Sequence, residues 1–284
     1  MVSLQSYSTV TMQTFQPTLH TCSHRVNSVS QPDTEIITEW RLFKVLGKLP
    51  PTAMGMDNLP ACFLRLGAHV FCEPLAYLFN KSLATSVVPR QWKQASIRPV
   101  PKTATPLDHS DYRPISITSV LSRTLERIVV REFLYPAILD PPMPLSFGDQ
   151  FAFRPTGSTT SALIALMQTI TDLLTTNSFV CLIALDFSKA FDTVRHDTLL
   201  SKMAMLDIPD AIYNWLVDFF QDHKHCTKYG TATSQMLQVS ASIIQGSAVG
   251  PVSYDIQAWA SDNNLRLNTA KSREIIFQAR SVRG

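Results

Sequence analysis

Asp186 is the side chain best placed to do chemistry in this sequence. It stands in the octet Leu185-Asp186-Phe187-Ser188-Lys189-Ala190-Phe191-Asp192, directly after the apolar run Phe179-Val180-Cys181-Leu182-Ile183-Ala184. That run has the length and content of a buried strand. A carboxylate at the exit of such a strand is costly to desolvate unless something positive, usually a metal ion, meets it. Ser188-Lys189-Ala190 then turns the chain, and the ring of Phe191 falls five residues beyond Asp186. Most aspartates at strand-to-helix turns are simple caps. The octet as a whole argues against that reading here.

Other elements must position this carboxylate. Ser96-Ile97-Arg98-Pro99-Val100-Pro101-Lys102 reads as a short strand and Asp111-Tyr112-Arg113-Pro114-Ile115-Ser116 as its return. Gly157 precedes a Ser158-Thr159 cap, which gives an exposed helix amino terminus suited to phosphate. The helix that follows runs to about Thr175, with Leu163, Ile164, Leu166, Met167, Ile170, Leu173 and Leu174 on its inner face. Gln245-Gly246-Ser247-Ala248-Val249-Gly250-Pro251 is a small-residue loop whose backbone can lie close against a flat ligand. Earlier, apolar residues from Ala61 to Leu83 recur at helical spacing, and Pro74 suggests two helices. Helices are expected over 123–134, 196–206, 211–220 and 256–263, and strands over 236–244 and 274–278. Strands interspersed with helices give an α+β fold class.

The octet closely resembles the first palm motif of reverse transcriptases from non-LTR (LINE-type) retrotransposons. In the same order, Met56-Asp57-Asn58-Leu59-Pro60, the Pro-Lys and Tyr-Arg-Pro-Ile strings, Phe153-Arg154-Pro155-Thr156-Gly157, the Gln-Gly-Ser loop and Asn268-Thr269-Ala270-Lys271-Ser272 resemble that family, from about Pro51 to Arg280. The resemblance implies a right-hand polymerase: fingers over 51–150 and an incomplete palm over 151–284, an antiparallel sheet packed on helices. It implies RNA-templated addition of deoxynucleoside triphosphates to a DNA primer, with magnesium (Mg2+) as cofactor. By the same resemblance Asp186 binds metal, Lys271 acts as general acid, and Lys102 and Arg113 hold the triphosphate. Phe187, Phe191, Gln245 and Gly246 seat the nucleotide, and Arg154 and Gly157 lie under the template strand.

Composition fits this picture. An apolar fraction of 45% and a charged fraction of 17% describe a globular chain rather than a disordered one. Net charge is only +3, but 81–131 carries nine basic against three acidic residues, a local +6 that leaves −3 for the rest. That asymmetry suggests a phosphate-facing lobe joined to a more acidic one. Five cysteines without a Cys-x-x-Cys pair read as buried or free thiols in a reducing compartment. His223-Lys224-His225-Cys226 lacks the second ligand pair of a structural zinc site. No membrane-length apolar run or secretory leader stands out. An intracellular location, cytoplasm or nucleus, is expected. Residues 1–50, Ser/Thr/Gln-rich at first, read as a poorly ordered leader, and no thumb is expected after the palm.

One segment is missing. Relatives place an aromatic-Ala-Asp-Asp hairpin between the Gln-Gly-Ser loop and a Trp-Ala helix. Here Pro251-Val252-Ser253-Tyr254 runs directly into Asp255-Ile256-Gln257-Ala258-Trp259, and no Asp-Asp pair occurs anywhere. Two-metal phosphoryl transfer draws carboxylates from more than one strand. The copy is therefore expected to be catalytically defective, and the strands flanking the lost hairpin to expose their edges. A non-enzymatic nucleic-acid-binding remnant is the alternative, and a decayed product without a stable fold is a second one.

Overall fold

The computed structural model describes residues 25, 36–140, 142, 151–152, 157–188, 194–239, 246–250, 266–267 and 271–278; of 187, 188, 266 and 267 the backbone alone is described. Part of the expected leader is helical. Helix α1 (Glu39–Gly47) is capped by Thr38, whose side chain accepts from the Arg41 N–H at 3.3 Å, and it buries Leu42 and Leu46 one turn apart. Ile37 and Leu49 on either side of it are buried too. A residue within the expected leader, Arg25, also docks. Its guanidinium lies 4.6 Å from the Tyr213 ring centroid, meets Asp210 at 3.3 Å and donates to the Ile208 carbonyl at 2.9 Å.

The expected break at Pro74 falls elsewhere. Helix α2 (Ala61–Leu66) and α3 (Ala68–Thr85) part at Gly67, and Pro74 sits inside α3. Proline removes one backbone donor, and the buried Ala76, Phe79 and Leu83 keep α3 intact against the core. Asn80 locks α1 to α3: its amide accepts from the Ile37 N–H at 2.9 Å and donates to the Ile37 carbonyl at 2.8 Å.

Strands β1 (Gln94–Pro101) and β2 (Tyr112–Ile117) form the expected hairpin, antiparallel with Val100 opposite Arg113. Helix α4 (Val120–Val129) follows, capped by Ser119, then a wide turn over Val130–Leu134 and α5 (Tyr135–Leu139). Helix α6 (Thr159–Thr176) begins at Ser158 as expected, the Ser158 hydroxyl accepting from the Ser161 N–H at 3.0 Å. Strands β3 (Phe179–Ala184) and β4 (Phe187–Ser188) come next. Helices α7 (His196–Met203) and α8 (Asp210–Phe220) are separated near Pro209, as the sequence suggests. Among the eleven residues of α8, Ile212, Tyr213, Trp215, Leu216, Val217, Phe219 and Phe220 are all buried, the signature of a helix inside a core.

Strand β5 (Lys224–Tyr229) is not among the expected elements. It runs parallel to β1, with Ala95 opposite His225, and accepts β6 (Ala232–Thr233) and β7 (Leu237–Gln238) on its other side. Beyond Val239 the expected strand over 236–244 lies outside the described residues, as do the helix over 256–263 and Cys22. Cys62, Cys72, Cys181 and Cys226 are free thiols. Strand β8 (Arg266–Leu267) pairs with β4, and β9 (Arg273–Gln278) with β3, both antiparallel.

The region around β3 also departs from expectation. Phe179 is 61% exposed, Ile183 64% and Ile276 on β9 61%, so this is no buried strand. On α6 only Ile170 is buried, whereas Leu163, Ile164, Met167 and Leu173 stand largely in solvent. Among the described residues β3 and β9 pair only with each other. A two-stranded ribbon covers little apolar surface unless a third layer meets it.

Burial has a titration consequence at His223 and His225. They lie two residues apart, on one face at the start of β5 and almost fully buried, and among the described residues the Nε2 atom of each has no hydrogen-bond partner. Burial, reinforced by the charge of nearby His196, pushes the His223 imidazole down to about 3, and burial lowers His225 as well. Both therefore stay neutral in the fold at neutral pH. As pH falls below about 6.5 the unfolded chain takes up a proton that folded His223 refuses, so stability declines until about pH 3. At 1.36 kcal/mol per pH unit the loss reaches about 2 kcal/mol by pH 5. Urea melts at pH 7 and pH 5 should show this drop, and His223→Gln should remove most of it. An equal drop in the variant would refute the assignment.

Candidate active site

Antiparallel pairing of β3 with β9 ends at Ala184 opposite Arg273. The residues just beyond that pair are Asp186 on one side and Lys271 and Ser272 on the other. The Asp186 N–H donates to the Ser272 hydroxyl at 3.4 Å, and Lys271 Nζ lies 3.9 Å from Asp186 Oδ2. Two residues 85 positions apart, each singled out from sequence for chemistry, thus meet at one strand tip. Both side chains are open to solvent, 45% exposed for Asp186 and 73% for Lys271. An ion pair so exposed contributes about 0–1 kcal/mol. Its meaning is electrostatic: an ammonium stands beside the carboxylate.

This donor set does not fit a pair of divalent cations. Two such ions draw on several carboxylates, whereas Asp186 has a lysine ammonium beside it. Among the described residues no three His, Cys, Asp or Glu side chains come together in a way that could hold a metal. The described residues therefore do not by themselves make up a two-magnesium site.

A basic face lies on the β1–β2 hairpin. Residues alternate between faces along a strand, and partners across a ladder share one. Val100 opposite Arg113 and Arg98 opposite Ile115 put Arg98 and Arg113 on the same face. Lys102 continues that face, because its N–H donates to the Asp111 carbonyl at 2.7 Å and extends the ladder by one position. All three basic residues are exposed. Lys102 also donates through Nζ to the Ser110 carbonyl at 2.7 Å, bracing the hairpin tip. The Asp111 carboxyl is held below its usual range by the N–H groups of Asp108 and Leu107, then by the charge of Lys102. The opposite face is tied to β5 by Tyr112 and Tyr229, whose rings meet edge to face at 6.1 Å.

The small-residue loop lies against β2. Gly246 adopts φ +119°, and a Cβ there would come within 2.3 Å of the Ser116 carbonyl oxygen, so any larger residue must displace the backbone. Gly157 is as tightly placed, its absent Cβ 2.0 Å from the Phe151 carbonyl oxygen. Arg154, Phe191 and Gln245 lie outside the described residues, as does the side chain of Phe187.

Three contributors escape a reading of the sequence. Arg98 enters it as one charge among nine, although its spacing of two from Val100 and four from Lys102 gives it the same strand face. Ser272 figures only as a neighbour of Lys271. Glu126, fully buried, joins α4 to the small-residue loop. Its signal is faint: one acid among apolar helix positions with Ser122 one turn before it.

Comparison with known proteins bears on this arrangement. The family described as "Reverse transcriptase (RNA-dependent DNA polymerase)" matches residues 100–277. Over 220 residues the chain is 30% identical to "RNA-directed DNA polymerase from mobile element jockey" of Drosophila melanogaster, covering 77% of this chain and 23% of that protein. It is 29% identical over 203 residues to "Probable RNA-directed DNA polymerase from transposon BS" of the same species, covering 71% and 22%. To "Retrovirus-related Pol polyprotein from type-1 retrotransposable element R2" of Nasonia vitripennis it is 22% identical, covering 69% and 18%. The chain thus spans less than a quarter of the length of these curated relatives.

Proposed function

Because this chain belongs to the reverse transcriptase (RNA-dependent DNA polymerase) family, as a domain of the non-LTR retrotransposon kind, we propose that it binds the substrates of templated DNA synthesis but does not complete nucleotide addition. The helices and hairpin of 51–150 serve as fingers, and the strands from β3 onward as a partial palm. Arg98, Lys102 and Arg113 hold phosphate, as multiple charge-assisted contacts do. Gly246 and its neighbours seat the base pair. Asp186 is the surviving member of a carboxylate set, with Lys271 beside it to meet the negative charge of a polyphosphate. RNA template, DNA primer and deoxynucleoside triphosphates are the partners, in the cytoplasm or nucleus. The meeting of Asp186 and Lys271 at the β3–β9 tip carries this reading.

Binding of an RNA–DNA hybrid across a salt series tests the phosphate-holding half. Affinity should fall steeply with salt, since each neutralised phosphate releases counterions. The combined Arg98→Ala, Lys102→Ala and Arg113→Ala variant should flatten the logarithmic slope by about 3, near one per lost contact. A slope untouched by the triple change would rule out the basic face as a contact of the hybrid's backbone and leave it the triphosphate alone.

A further inference from the structure

We propose that Glu126 is a positioning residue that anchors the Gly246–Ala248 loop against β2 and so sets the nucleotide seat. The seat itself rests on the proposed substrate-binding function. Glu126 lies on α4 and has no exposed surface. A buried carboxylate is costly unless its oxygens are met. Here each is. Oε1 accepts from the Ser122 hydroxyl at 2.7 Å, and Oε2 accepts from the Ser247 hydroxyl at 2.5 Å and from the Ala248 N–H at 2.7 Å. The Ser247 oxygen in turn accepts from the Val249 N–H at 3.1 Å, so one side chain organises three consecutive loop residues.

The loop is held from two sides. Glu126 draws Ser247 and Ala248 toward α4, and Gly246 rests against the Ser116 carbonyl, three residues along β2 from Arg113. The carboxylate thereby fixes the spacing between the loop and the strand that carries a phosphate-holding arginine. Glutamine has nearly the same shape but only one acceptor oxygen. Turned with this oxygen toward the loop it keeps the Ser247 and Ala248 bonds while its NH2 donates to the Ser122 oxygen, so the change that removes the anchor is methionine, of similar length and without a strong acceptor.

The test compares the whole chain with Glu126→Met, and with Thr124→Val as a stability control. Thr124 is buried on the same helix and bonds the Val120 carbonyl at 2.7 Å, away from the loop. Two readouts are taken at 10 °C: hydrogen exchange of the 246–250 amides, and affinity for dTTP in the presence of poly(rA)/oligo(dT). Glu126→Met should lower Ala248 protection at least about tenfold and weaken dTTP binding by about fivefold or more, the scale of losing a charge-assisted bond. Thr124→Val should leave both unchanged whatever it costs in melting temperature. Unchanged Ala248 protection in a folded Glu126→Met variant overturns the anchor. Lost protection with unchanged dTTP affinity overturns its role in the seat. A wild-type chain that binds no dTTP overturns the substrate-binding function instead, and protection then reports on the anchor alone.

Discussion

Lys93→Met should destabilise the protein by about 2–4 kcal/mol, well beyond the effect of removing an exposed ion pair such as Asp186–Lys271. Lys93 lies at the entrance to β1 and is 7% exposed, and its ammonium meets Asp218 on α8 at 2.9 Å. The same carboxylate oxygen accepts from the Val88 N–H at 2.6 Å. Methionine fills similar volume but strands a carboxylate that water reaches only in part, and the cost of breaking such a pair falls mainly on the charge left behind. Asp218 keeps some solvent access, which puts the figure below the full range for sealed pairs. The pair also ties the hairpin to the core, next to Trp92, which packs edge-on against Phe79. Adding Asp218→Asn removes the stranded charge while keeping an acceptor for Val88, so the double variant should regain much of the loss. Urea denaturation of the four proteins in this cycle measures the coupling. Additive losses would mean that the ammonium and carboxylate do not depend on each other.

The sequence is legible wherever local physics decides the outcome. The β1–β2 hairpin can be read because Pro99, Pro101 and Pro114 exclude helix while apolar and basic residues alternate between them. Ser158 announces α6 as a capping hydroxyl, and Pro209 with Asp210 announces α8. Long-range packing is not legible. Lys224-His225-Cys226-Thr227 looks like a polar stretch, and it becomes a strand because β1 offers it a parallel edge. Ile37, Leu42 and Leu46 look too few to fold, yet α3 supplies the surface that buries them. The opposite error occurs at β3. Its apolar run promises burial, but burial needs a covering layer, and among the described residues β3 pairs with β9 alone and stays largely exposed.

The candidate site divides the same way. Residue types point to Asp186 and Lys271 separately, and only the β3–β9 register brings them to 3.9 Å. Glu126 escapes notice because a buried acid looks like an exposed one until its partners are known. Arg98 escapes because summing charge does not assign it to a face.

The largest functional effect expected is the absence of synthesis. Asp186 has an ammonium at its side, and the sequence holds no Asp-Asp pair to complete a two-ion site. Each tenfold of rate is about 1.4 kcal/mol of barrier, and a lost ligand set should cost on the order of four such steps or more. Excess metal cannot replace the paired aspartates that the sequence lacks, so raising magnesium or substituting manganese should not rescue the reaction. Primer extension on an RNA template, comparing this chain with Asp186→Ala in either metal, measures this directly. The same background is expected from both proteins. Extension by this chain that disappears in Asp186→Ala would contradict the loss of synthesis, because a complete metal site would then exist around Asp186.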